Sequence, residues 1–76
     1  MSHPSFPGNR ELWLAQIFSS QAAQSGGVVR RRSSEVERRI GRAQLELEVR
    51  RRGFHMFECA GQFVIVCTRG DVRLIC

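Results

Sequence analysis

SSEVERRIGRAQLELEVRRRGF, residues 33 to 54, is the stretch whose reading decides the fold. Ser34 followed by Glu37 spells a capping box, in which the serine and the glutamate satisfy each other's free backbone donors. Helix-forming residues then run to Arg52, and Gly53 supplies a stop, so the expectation is one helix over residues 34–52. On a wheel of about 100° per residue, Val36, Ile40, Ala43 and Leu47 fall on the side that a sheet should bury. Leu45 and Val49 lie opposite, with Gly41 near them and Arg38, Arg42 and Arg52 around them. An apolar pair ringed by arginine is what docking on an acidic or amphipathic partner requires.

Working outward, GGVVRRR on the N-terminal side reads as a short strand over residues 28–32, bounded by glycine and serine. On the C-terminal side, FHMFECAGQFVIVC reads as a hairpin turning at Ala60-Gly61. TRGD is a tight turn, since glycine and aspartate favour turns, and VRLIC a last strand over residues 72–76. Upstream, Asn9 can cap a helix over residues 10–25, whose Trp13, Leu14, Ile17 and Phe18 share one side; Gly26-Gly27 closes it. Residues 1–8 read as a flexible tail and residues 9–76 as one domain. The expected fold class is α/β (α+β): a small two-layer domain of order α-β-α-β-β-β. It has a mixed sheet containing a βαβ unit and a C-terminal hairpin or meander.

Seventy-six residues, 42% hydrophobic and 25% charged, suit one thin-cored globular domain. The net charge is +5 and the isoelectric point near 11. All twelve cations are arginine, a planar fork suited to phosphate and carboxylate. Glutamates placed four residues before arginines (Glu35–Arg39, Glu46–Arg50, Glu48–Arg52) occupy part of the helix charge, at ~0.2–0.5 kcal/mol each. Arg30, Arg31 and Arg32 have no such acids nearby, and in a strand Arg31 points opposite to the other two. The second triplet, Arg50, Arg51 and Arg52, lies ~25 Å away at the far end of the helix.

Three cysteines, Cys59, Cys67 and Cys76, have no CxxC spacing. Cys59 and His55 share a strand face but sit ~13 Å apart, too far to hold one metal ion. Free buried thiols and no metal or cofactor are the expectation, together with a cytoplasmic location, since neither a secretory segment nor a membrane span is spelled. His55 has no hydrolytic constellation around it. Gly26-Gly27 precedes a strand, whereas a phosphate-binding loop runs from strand to helix. In the hairpin, Phe54, Met56, Phe63, Ile65 and Cys67 line one face and Phe57, Val64 and Val66 the other, so either the two helices cover both between them or a second copy of the chain covers one as a homodimer.

At GGVVRRR, EVRRRGFHMFECAGQFVIVC and WLAQIFSSQAAQ the chain resembles a family of short alphaproteobacterial proteins. Its members are often labelled N-(5'-phosphoribosyl)anthranilate isomerase. The resemblance spans most of residues 12–67 and brings no catalytic residues with it. The labelled activity belongs to TIM barrels of roughly 200 or more residues, which a chain of this length cannot build. The expected function is therefore not enzymatic.

Two readings follow. In the first, a small basic regulator contacts nucleic acid through Arg30, Arg31, Arg32, Arg38, Arg42, Arg50, Arg51 and Arg52. In the second, the same arginines surround Leu45 and Val49 in a protein-interaction module for an acidic or amphipathic partner. Charge places nucleic acid first, although no helix-turn-helix, zinc finger or RNP-like motif is spelled.

Overall fold

The computed structural model describes residues 9–76 and assembles seven elements: α1 (Asn9–Phe18), α2 (Gln21–Gln24), β1 (Val28–Arg32), α3 (Ser33–Arg39), α4 (Arg42–Arg51), β2 (His55–Cys59) and β3 (Gln62–Val66). The tail expected over residues 1–8 lies outside the described residues. The N-terminal helix follows its apolar pattern, burying Trp13, Leu14, Ile17 and Phe18. It stops at Phe18 instead of continuing to residue 25. The cause is Ser20, whose extended backbone and hydroxyl make it the cap of α2: Oγ accepts from the Ala23 amide at 3.3 Å and donates to the Ile17 carbonyl at 2.8 Å. Gly27 then enters β1 so close to α2 that a Cβ would stand 3.0 Å from the Ala22 carbonyl oxygen, to which its own amide donates.

The single helix expected over residues 34–52 is two helices. Ile40 leaves the helical conformation, Gly41 takes φ +84°, and both amides donate to the Val36 carbonyl, at 2.9 and 2.8 Å. Nothing lies within 4 Å of the position a Gly41 Cβ would take, so the left-handed backbone, not crowding, calls for glycine there. The capping box does not form either, because α3 already begins at Ser33. Glu37 instead turns forward: its Oε1 accepts from the Arg42 amide at 2.9 Å and caps the start of α4. Ser33 Oγ donates to Glu58 on β2 at 2.9 Å.

This break re-aims everything after it. Leu45 and Val49 are 0% and 2% exposed and belong to the core with Val36 and Ile40, whereas Ala43 is exposed and Leu47 is 49% exposed. The expected partner surface at Leu45 and Val49 is therefore corrected: both are interior side chains.

The sheet has order β1-β3-β2, and both pairings are antiparallel. The mixed sheet is thus corrected to an antiparallel one. β1 and β2 do run the same way with α3 and α4 between them, but β3 occupies the place between the two strands. The hairpin turns at Ala60-Gly61 as expected, with both residues at positive φ, the backbone of a tight two-residue turn. Val29, Phe63, Ile65 and Cys67 face the helices and build the core with them. The strand expected over residues 72–76 does not form; Leu74 and Ile75 stay 91% and 83% exposed. The C-terminal segment turns back instead, and the Gly70 carbonyl meets His55 Nε2 at 2.7 Å. β3 already has a neighbour on each side, which leaves VRLIC no place beside it.

The helix break makes a measurable contrast between two leucines two residues apart. Leu45→Ala should lower unfolding free energy by ~2–5 kcal/mol in urea titration, while Leu47→Ala should shift it by ~0.5 kcal/mol or less. The reverse order would restore the single unbroken helix.

Candidate nucleic-acid interface

The eight arginines singled out by the sequence separate into three groups. Arg30 and Arg32 are exposed on β1, on the face of the sheet turned away from the helices. Arg31, between them, is half-buried on the helix side and its Nη1 donates to the Arg30 carbonyl at 2.7 Å. Arg38 and Arg42 flank the Gly41 turn, both exposed, and among the described residues their side chains have no ion pair. Arg39, not singled out by the sequence, is exposed beside Arg38, and the pair expected between Glu35 and Arg39 is not formed.

The second triplet is largely committed to the fold. Arg52 donates from Nη1 to Glu48 Oε1 and to the Glu48 carbonyl, both at 2.9 Å, and its guanidinium lies 3.8 Å from the centre of the Phe18 ring. Arg51 reaches the other Glu48 oxygen at 3.2 Å, and Arg50 pairs with Glu46 at 2.7 Å. The hydrogen bond from Arg52 holds the Glu48 carboxyl below its ordinary range; Arg51 adds to this, against the desolvation of a partly buried site. Arg52 joins α4 to α1 and is a packing residue before it is a binding one.

What the sequence reading missed is the use of α3 and α4 together. Two short helices, α3 and α4, meet at Ile40-Gly41, with the β2–β3 hairpin beside α4. An isolated glycine inside a helical pattern was the signal available. The fold leaves an uncovered strip along α4, where Ala43, Glu46, Leu47 and Arg50 line a shallow groove of about 210 Å³. A second groove, about 410 Å³, runs between α4 and the hairpin and is lined by both Arg42 and Arg50 and by Glu46 and Glu58. The helices are nearly balanced in charge, five arginines against four glutamates in α3 and α4, whereas β1 carries three arginines and no acid.

On the sheet face away from the helices, the strand register forms three rows: Val28, Val66 and His55; Arg30, Val64 and Phe57; Arg32, Gln62 and Cys59. Burial, expected for the free thiols, holds for Cys67 alone, where it pushes the thiol up, and is corrected for Cys59 and Cys76, which are exposed. Among the described residues no three potential metal ligands gather, and no helix is long and apolar enough to cross a membrane.

The unequal roles of the second triplet can be measured. Arg52→Ala should cost ~1–2 kcal/mol, discounted for a side chain that keeps 36% exposure. Arg50→Ala should cost ~0.5 kcal/mol or less. Because the folded Glu48 pKa is depressed, its contribution is present at neutral pH and is lost as pH falls through the folded value. Glu48→Gln should accordingly lower stability at neutral pH and flatten the acid limb of a thermal-melt series; an unchanged acid limb would remove Glu48 from that role.

Comparison of the chain with protein-family models, with curated proteins and with solved structures gave no match, so its functional reading rests on these residues and their geometry.

Proposed function

We propose that this protein is a small non-enzymatic regulator that binds duplex DNA through α3, the Gly41 turn and α4. The observation that carries the reading is the turn itself, which buries Leu45 and Val49 and leaves Arg42, Ala43, Leu47 and Arg50 on the outward side of α4. In a helix-turn-helix, the second helix enters the major groove with its N-terminal residues at the base edges, and the first crosses the phosphate backbone. Arg38 and Arg39 end the first helix here and Arg42 begins the second, which puts three unpaired guanidiniums around the turn where phosphates would pass. Ala43 and Leu47, one helical turn apart, suit thymine methyl groups, and Glu46 can accept from a cytosine amino group.

The protein-interaction reading centred on Leu45 and Val49 loses its centre, because neither side chain reaches the surface.

Anisotropy titration of a labelled duplex at several salt concentrations tests the proposal. Arg38→Ser combined with Arg42→Ser should weaken binding and flatten the salt slope by about 0.9 for each phosphate no longer neutralised. Leu47→Glu should weaken binding further without unfolding the domain. Duplex affinity indifferent to all three substitutions would sink the reading.

A further inference from the structure

The sheet face away from the helices is left unused by duplex binding, and it mixes Arg30, Arg32, Gln62 and His55, the last held by the Gly70 carbonyl, with exposed apolar side chains. Phe57 is 49% exposed on it and Val28 is 44% exposed. Between Phe57 and Arg30 in the same row stands Val64, which is outside the helix-facing cluster and itself only 8% exposed. No position in the three rows is a carboxylate. Glu58, the one acid in β2, points to the other face, where it accepts from Ser33.

Charge and shape together choose the occupant. A second copy stacked on this face would bring arginines against arginines with no acid to receive them. An anionic ligand meets the opposite situation, two guanidiniums on β1 spaced ~7 Å apart along the strand. The exposed ring lies two strand spacings away, ~9.5 Å, across an apolar floor. That combination, an aromatic platform with cations along one margin, is how proteins hold unpaired strands: bases stack on the ring and the backbone follows the charges. Paired bases already stacked inside a helix cannot present their faces to Phe57, so a duplex does not fit here. An acidic peptide would satisfy the arginines, but it has no need of an uncovered aromatic ring.

We propose that this open face binds single-stranded nucleic acid, with a base stacked on Phe57 and backbone phosphates held by Arg30 and Arg32. The proposal uses different side chains from the duplex reading, although Phe57 on the edge strand β2 also lines the groove between α4 and the hairpin.

The test is anisotropy titration of the full chain with a labelled thymidine oligomer of about twelve nucleotides, in parallel with a labelled duplex. Phe57→Ala should weaken single-strand binding about fivefold or more. Phe57→Leu should weaken it similarly, because it keeps apolar bulk and removes the ring. Arg30→Ser with Arg32→Ser should flatten the single-strand salt slope by about 1.4, or 0.7 for each of two phosphates. Leu47→Glu should leave single-strand binding unchanged, so that failure on one face is separable from failure on the other. The side chains changed are exposed, and circular dichroism should show each variant folded. The proposal is overturned if the intact chain does not bind the oligomer, if these sheet variants bind it as the wild type does, or if Leu47→Glu abolishes binding of both ligands. Full binding by Phe57→Leu together with displacement of the oligomer by an acidic peptide would reassign the face to a polypeptide and likewise overturn it.

Discussion

The two-residue break at Ile40-Gly41 is the constraint on which the rest of the structure depends. A left-handed residue ends α3 after two turns, and the Val36 carbonyl, receiving two amides, holds that end tight. The start of α4 would otherwise leave its first amides unsatisfied, and Glu37 reaches across the turn to take one of them. A glycine conformation and a carboxylate thus set the rotation of α4 about its own axis. That rotation decides which side chains become core and which become surface. With Leu45 and Val49 turned inward, α4 closes over Phe63 and Ile65, and Arg52 is brought above the Phe18 ring.

Much of the fold was legible where a pattern was local. The α1 stripe, the strand after Gly26-Gly27 and the Ala60-Gly61 turn depend on a few adjacent residues, and all form as the sequence indicates. The long-helix reading failed because a wheel carries phase forward from one end to the other. One non-helical residue pair resets that phase, so Val36 and Ile40, before the break, were assigned correctly, and Ala43, Leu45, Leu47 and Val49, after it, were inverted. Gly41 was visible as a weak helix former, but its cost of about 1 kcal/mol against alanine does not reveal a change of direction. VRLIC failed for a different reason. Strand propensity describes a side chain's fit to a pleated surface and supplies no partner strand.

The site was legible as a set of residue types and not as a surface. Sequence counts arginines; the fold distributes them. Arg52 and Arg31 are drawn into hydrogen bonds that serve the domain, while Arg30, Arg32, Arg38 and Arg42 keep their side-chain donors for solvent or a ligand. Acid partners at helical spacing were a partial guide: they foresaw the ties of Arg50 and Arg52 but not the pairing of Arg51 with Glu48, three residues before it. No spacing rule foresaw that Glu37 would face a backbone amide.

The same distribution bears on self-association. The sequence argument for a homodimer treats the second sheet face as apolar and therefore in need of a cover. In the folded chain that face carries Val64, Val66 and Phe57 beside Gln62 and His55 along β3 and β2, and is cationic along β1, with Arg30 and Arg32 at its margin. Two such faces packed on each other would enclose four guanidiniums. None would have a carboxylate in the rows to meet, and uncompensated charge at a desolvated interface is costly. Arginine on an edge strand also disfavours pairing with the same edge of another copy, because like charges would stand opposite one another. Packing two copies through this face would therefore be costly, and the net charge of +5 acts in the same direction.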